Sequence, residues 1–449
     1  MNGLLYDTRK AGFLLFFIAL ITRLPILLFF DNNRISPDGT GYHNIAVNLV
    51  KGNGFSNQQE EPYEKCYFRE PGYPLFLAGI YSIVNIFHPV QYIDKYDNNL
   101  HKPGDYYPEI VAAKLVQIVL DSISIILLFF ILFKISNKKI AFLTALITGL
   151  FFNLAYSSVF ILRESLVVFF LMILNYFFIK YIFNKKKYLW SILIGITIGL
   201  LILVFKIHVT ILPVLFVLML IHSKKLRESI LHTSVITIIA IVIILPHCIN
   251  VYRYYPDIRV FKTFGTSFTH EMSKYANAIL KVEYYGILTK EEGNALLEWN
   301  KNSEEQFNKS FNGFYIAKTD SLNSLVNETL VSKRKFEILL TNFRKSFFLT
   351  KFGYESGKNL LNSYGLIILI PLVIYPTLVG FMGIIGLLFF WKQYLIYFLP
   401  FIVYLTLFWL LGSEYRRMII LQPFLIFFGL LFLNKIRGIK GIPNKEIAV

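Results

Sequence analysis

The sequence predicts an all-α polytopic membrane protein, and three observations predict it. Several apolar runs reach the ~20 residues that a helix needs to cross the hydrocarbon layer. Of the 449 residues 55% are hydrophobic, and the mean hydropathy is +0.55. The basic residues gather in short clusters between the runs: Lys138-Lys139, Lys185 to Lys187, Lys224-Lys225 with Arg227, and Lys435 with Arg437 and Lys440. That is the placement of cytoplasmic anchors. In a soluble chain the formal net charge of +17 would read as a nucleic-acid surface. Confined to turns between spans, it gives orientation and argues against a nucleic-acid partner. Two cysteines, Cys66 and Cys248, exclude a disulfide framework and a cysteine-rich metal site. Both fall on the outer side of the expected topology, and whether they bond is left open.

Taken in order, residues 11–30 (AGFLLFFIALITRLPILLFF) exceed a signal-peptide apolar region and lack a small-residue cleavage site after them. They are read as a retained first span. Residues 34–55, RISPDGTGYHNIAVNLVKGNGF, carry Tyr42, Ile45, Ala46, Leu49 and Val50 on one helical stripe. Thr40 is expected to start this helix and Gly52 to end it. About ten helical residues cover only ~15 Å, so the helix should lie along the membrane surface with its apolar side down. Residues 71–87, PGYPLFLAGIYSIVNIF, are apolar but short. If they crossed, Lys138-Lys139 and Lys185 to Lys187 would face outward; if they lie in the interface, every basic cluster falls inside. The interfacial placement gives ten spans, with both termini cytoplasmic: 11–30, 109–134, 139–159, 163–183, 188–205, 207–222 (bent near Pro213), 230–249, 362–390, 393–411 and 416–434.

This topology divides the chain into an N-terminal transmembrane module at 1–249, an outer region at 250–361, and C-terminal helices with a basic tail at 362–449. The module's first outer loop is 31–108. Within the outer region, residues 334–348 place Phe336, Leu339, Leu340, Phe343 and Phe347 on one face, as in an amphipathic helix returning to the membrane surface. A substrate-facing cap and a structural cover both fit. Asn308 and Asn327 match the glycosylation pattern, which recurs by chance and carries little weight.

Three acids remote in sequence, Asp38, Glu70 and Glu164, fall at one depth on one side of this topology. Alone, Asp38 reads as a helix-capping residue, and Glu164 as an ordinary acid in a first helical turn. Together they have cations at the same depth: Arg69, Arg163, Lys206, Arg416 and Arg417. Acids for proton transfer and cations for a phosphate suit a reaction on a lipid-linked phosphosugar. Tyr42 and Tyr73 complete the candidate substrate-binding set. Two charges lie inside apolar runs, Arg23 in FIALITRLPILL and Asp121 in LVQIVLDSISIILL. Charges at that depth are costly unless paired, so they are expected to pair with each other in a structural role.

The order of these features resembles the GT-C glycosyltransferases, in the bacterial branch near protein O-mannosyltransferases and lipid A aminoarabinose transferases. An acid follows the first helix. An A..L..G.GF helix, a PGYPLFLA juxtamembrane segment, a basic turn, an outer RESL turn and a late YRR...QPFL helix come after it. The resemblance covers roughly 10–225 well and 412–434 moderately; it implies a GT-C-like bundle of about ten transmembrane helices with extracytoplasmic juxtamembrane helices and a mostly helical extracytoplasmic insert. It implies Asp38 as catalytic base, Glu164 as the second acid, and Glu70 to Pro74 as the proline-rich segment. It also places Lys206 at the lipid phosphate and Arg416 with Arg417 before the last conserved helix. Where relatives often have paired acids, this chain has Asp38-Gly39, which weakens any metal assignment.

The implied activity is inverting transfer of a sugar from a polyprenyl-phosphate carrier to a protein, lipid or glycan acceptor on the extracytoplasmic face of the cell membrane, as in the building of a cell envelope glycan. No cofactor is required, and a divalent metal is possible without support from the residues. Two other classes compete. A lipid-linked glycan flippase or transporter should carry internal repeats with broken helices at mid-membrane, and no convincing repeat is found. A multi-span polysaccharide polymerase should concentrate arginines in its large outer loop, an option that Arg253 and Arg259 keep open.

Overall fold

A computed structural model describes residues 7–29, 35, 37–67, 69–93, 107–254, 375–398, 402–403 and 419–436. Among these residues the structure is helical, without strands. The helices are α1 (Thr8–Phe29), α2 (Pro37–Lys51), α3 (Gly72–Val84), α4 (Pro108–Ile135), α5 (Lys138–Gly149), α6 (Phe152–Ser157), α7 (Glu164–Phe183) and α8 (Lys187–Val204). After a 3₁₀ turn at Lys206–Thr210 come α9 (Ile211–Ser223), α10 (Leu226–Tyr254), α11 (Tyr375–Tyr394) and α12 (Gln422–Ile436). Seven segments are long and apolar enough to cross a membrane: Thr8–Leu28, Pro108–Ile135, Glu164–Phe183, Lys187–Val204, Lys206–Ser223, Leu226–Tyr254 and Thr377–Tyr394. The all-α polytopic expectation holds. α4 is the central helix, packing against α1, α3, α5 and α7, while α8 packs on α7 and α10, and α12 on α5 and α11.

The expected span 139–159 is not one helix. α5 stops at Gly149, Phe151 is extended (φ −71°, ψ 109°), and α6 adds a single short turn-and-a-half. The break has a cause 126 residues away. Arg23 Nη1 donates to the Gly149 carbonyl at 2.8 Å, and Thr22 Oγ1 donates to it at 3.2 Å. A carbonyl that would otherwise need the next helical turn is satisfied by α1 instead. The same guanidinium binds Asp121 of α4, Nε to Oδ2 at 2.6 Å, with the two side chains 0% and 2% exposed. The intramembrane pairing expected from the sequence is present, and it also closes α5. Of the expected final spans, 416–434 is represented by a 3₁₀ turn at Ile419–Leu421 and α12, and most of 393–411 lies outside the described residues.

α3 has 13 residues, about 20 Å, too short to cross, as expected of an interfacial helix. α2 corrects two expectations. It begins at Pro37 rather than Thr40, proline being suited to a first turn whose N–H groups have no intrahelical partner. It ends where Gly52 takes φ +82°. Nor is it a surface helix with one wet face, because every residue from Gly39 to Asn48 is buried. Its polar side is roofed by the loop that follows. Asn48 Nδ2 donates to Ser56 O (2.8 Å) and Gln58 O (2.7 Å), and Asn44 exchanges hydrogen bonds with the backbone of Ile93 (3.0 and 3.2 Å). Satisfied amides of this kind make the burial tolerable. Residues 37–93 thus form a module built on α2 and α3. Cys66 and Cys248 are both free thiols, and burial pushes the Cys66 thiol up to about 12.

His43 locks the last strap of this module. Its Nε2 lies 2.8 Å from Gln91 O and its Nδ1 3.0 Å from the Tyr81 hydroxyl. The neutral ring satisfies both, with Nε2–H donating to the carbonyl and Nδ1 accepting from the phenol. Burial lowers its pKa from 6.5 to about 4, against a smaller opposing effect of the Gln91 carbonyl. A histidine depressed on folding contributes stability that is whole above its unfolded value and lost as pH falls through its folded one. Acidification from pH 6.5 to about 4 should therefore remove roughly 3 kcal/mol. The check is the thermal midpoint against pH: His43→Gln should flatten that limb, and an unchanged slope would show that other groups cause it.

Candidate functional site

Asp38 occupies the first turn of α2. One turn on, Tyr42 is buried edge-on against Tyr73 of α3, ring centroids 5.1 Å apart at 84°. The Arg69 guanidinium lies over the Tyr42 ring at 5.1 Å and against the backbone of Gly41, where a side-chain carbon would stand 3.2 Å from it. Arg69 Nε is buried without a hydrogen-bond partner among the described residues. The Tyr73 hydroxyl donates to Gln117 Oε1 at 2.6 Å, and Gln117 Nε2 donates to the carbonyls of Ser158 (3.0 Å) and Phe160 (2.7 Å). That loop leads directly into Arg163 and Glu164. Glu164 is 7% exposed at the N-terminus of α7, where the helix dipole favours a carboxylate. Burial raises the Tyr73 pKa well above the usual value, with further upward pushes from Tyr81, Glu164 and Tyr42. Through Tyr73, α2, α3, α4 and the start of α7 share one centre.

Beside it lies a second group. Arg163 Nη1 meets Glu70 Oε2 at 3.2 Å, both side chains 13% exposed, and the guanidinium stacks over the Phe205 ring at 3.7 Å. Phe205 is extended (φ −155°), which ends α8 and starts the tight turn that carries Lys206. Gly72 makes this meeting possible: a side-chain carbon there would lie 2.7 Å from the backbone of Leu203 and Val204. Only glycine lets the start of α3 abut the end of α8, and so brings Glu70 to Lys206. Burial would raise the Glu70 pKa, but Arg163, Lys206 and Arg69 outweigh it and hold the carboxyl below its ordinary value. Glu70 is therefore ionised at neutral pH, in a patch whose cations outnumber it.

Seven of the sequence-derived candidates thus meet at one end of the bundle in two adjoining groups: Tyr42, Arg69, Tyr73 and Glu164 in one, Glu70, Arg163 and Lys206 in the other. Asp38 lies on the helix that supports the first group. Arg416 and Arg417, together with Arg259, Asn308 and Asn327, fall outside the described residues. Sequence reasoning missed Gln117, Phe205, His208 and His247. His208 Nδ1 donates to Phe205 O at 2.8 Å, and His247 of α10 lies within the fields of Glu70 and Lys206. The available signal was an ionisable side chain at the end of an apolar run, in KIHV and LPHC. Among the described residues no three His, Cys, Asp or Glu side chains gather as a metal site.

Residues 70–262 match the family described as Dolichyl-phosphate-mannose-protein mannosyltransferase. That stretch is mannosyltransferase-like. The match begins at Glu70 and takes in Tyr73, Arg163, Glu164 and Lys206, and over those residues it agrees with the resemblance to protein O-mannosyltransferases read from motif order. Among solved structures, the S. cerevisiae protein O-mannosyltransferase complex bound to the sugar donor is 16% identical, over 56% of this chain and 34% of that one, with a TM-score of 0.43. The archaeal oligosaccharyltransferase AglB from Archaeoglobus fulgidus, in complex with an inhibitory peptide and a dolichol-phosphate, is 13% identical over 96% of this chain and 51% of that one, TM-score 0.48. ArnT from Cupriavidus metallidurans bound to undecaprenyl phosphate is 11% identical over 97% and 78%, TM-score 0.42. The chain thus spans about a third of the yeast chain's length and about half of the archaeal one's. No curated protein sequence matches it significantly.

Proposed function

We propose that the protein is an integral membrane glycosyltransferase that moves a sugar from a polyprenyl-phosphate-linked donor to an acceptor on the extracytoplasmic face, inverting the anomeric centre. The observation that carries the reading is the gathering of Arg163 and Lys206 around Glu70, within the stretch that matches the mannosyltransferase family. Two cations beside one carboxylate leave positive charge for a phosphate. Such fixed charge is most effective where negative charge grows in the transition state.

In the proposed reaction Asp38 takes the proton from the acceptor hydroxyl as its oxygen attacks the anomeric carbon. The bond from that carbon to the phosphate oxygen breaks, its electron pair staying on the phosphate. Lys206 holds the departing charge, with Arg163 beside it and Arg416 or Arg417 assigned to the same task. A single displacement inverts the anomeric centre. Glu164, acting through Tyr73, is assigned the positioning of α2 and so of Asp38.

The direct test supplies membranes containing the protein with labelled polyprenyl-phosphate sugars and follows acceptor-dependent loss of label from the lipid. Absence of transfer from every such donor would overturn the reading. Lys206→Gln removes one charge-assisted contact, worth about 1.5–3 kcal/mol, so kcat/KM should fall roughly 10- to 100-fold. A variant with unchanged kcat/KM would take Lys206 out of the site.

A further inference from the structure

At the far end of α7 and α8 the chain builds a second charged centre. α7 runs 20 residues from Glu164 to Phe183, and α8 returns 18 residues from Lys187 to Val204. The two centres are thus separated by roughly 27–30 Å of helix, about one hydrocarbon thickness. The far end holds a cleft of about 480 Å³ between the α7–α8 and α9–α10 turns, with Lys185, Lys187, Lys225, Arg227, Glu228 and His232 in its wall. Lys187 Nζ binds Glu228 Oε1 at 2.5 Å, which uses the only acid in that wall among the described residues. Lys185, Lys225 and Arg227 are exposed and form no ion pair among the described residues.

A buried donor lies beside its wall residue His232. His232 is 3% exposed and sits 2.9 Å from Ser191 Oγ, with Tyr181 edge-on to it at 5.3 Å. The Tyr181 hydroxyl is buried without a hydrogen-bond partner among the described residues, an uncommon condition for such a group. The lip on the bilayer side is apolar: Tyr188 is 57% and Leu231 45% exposed, and Leu189, Ile192 and Ile196 continue that exposed flank along α8.

We propose that this cleft binds the phosphate head group of an anionic phospholipid in the leaflet opposite the candidate active site, its acyl chains lying along the α8 flank. Cations above an apolar flank favour a lipid phosphate over a free one, since only the lipid uses both. Each cation near such a surface contributes appreciably to the attraction.

The test uses the full-length chain purified in neutral detergent and titrated with fluorophore-labelled phosphatidylglycerol. Labelled phosphatidylcholine runs in parallel, and inorganic phosphate serves as competitor. Saturable binding of phosphatidylglycerol alone is expected, weakened about thirtyfold by the double variant Lys225→Gln/Arg227→Gln. The matched double variant Lys392→Gln/Lys435→Gln should leave it unchanged. Equal binding of phosphatidylcholine, equal loss in the two double variants, or displacement by inorganic phosphate as effective as by unlabelled lipid would overturn the proposal. Should the first double variant fold poorly, Leu231→Glu places a carboxylate in the same cleft with all cations kept, and undiminished binding by that variant would overturn it equally.

Discussion

Asp38→Asn should lower sugar transfer by about 10²–10⁴-fold, the usual contribution of a general base, while the protein melts with the parent. The two side chains are nearly isosteric, and α2 is anchored downstream of the change. Tyr42 packs on Tyr73, and Asn44 and Asn48 hold the roof of the module. Loss of the carboxylate therefore removes a proton acceptor and leaves the packing in place. The kinetic split separates this from a positioning effect: kcat should fall while the KM for the donor stays at the parental value. Transfer at the parental rate by Asp38→Asn would remove the assignment.

The second large effect concerns Arg23 and Asp121. Removing either partner strands the other in a buried site, at a cost of about 3–5 kcal/mol. The double replacement by leucines should cost much less than the sum of the single changes, because no uncompensated charge remains. Arg23→Leu should be the more damaging single change, since that side chain also satisfies the carbonyls of Ala19 and Gly149. Yield and thermal midpoint of the four proteins complete the cycle, and strictly additive costs would contradict the coupling. Neither change touches the candidate site, so any folded variant should retain its KM.

Those two sites differ in how far they could be read from the chain. Arg23 and Asp121 are isolated charges within apolar runs, and the cost of burying them points to a partner of opposite sign. That α3 is too short to cross was similarly legible from the length of its apolar run. The break between α5 and α6 was not legible, because the group that closes α5 belongs to α1 and nothing local in TALITGLFFN announces it. The all-round burial of α2 was equally hidden. His43, Asn44 and Asn48 look like a solvated face until the loop carbonyls that accept from them are in place. In the candidate site each charged residue stood out singly. Their meeting depends on Gly72 allowing two helix ends to touch, a contact that no spacing in the sequence encodes.

The tie from Arg23 to the Gly149 carbonyl bears on how the chain is made. A stretch of bent backbone inside a bilayer is tolerable only when a protein neighbour covers its polar groups. Here that neighbour is translated first, so its guanidinium already waits in the lipid when residues 138–157 leave the ribosome. A circular permutant that made this neighbour last would have to insert the bend unprotected.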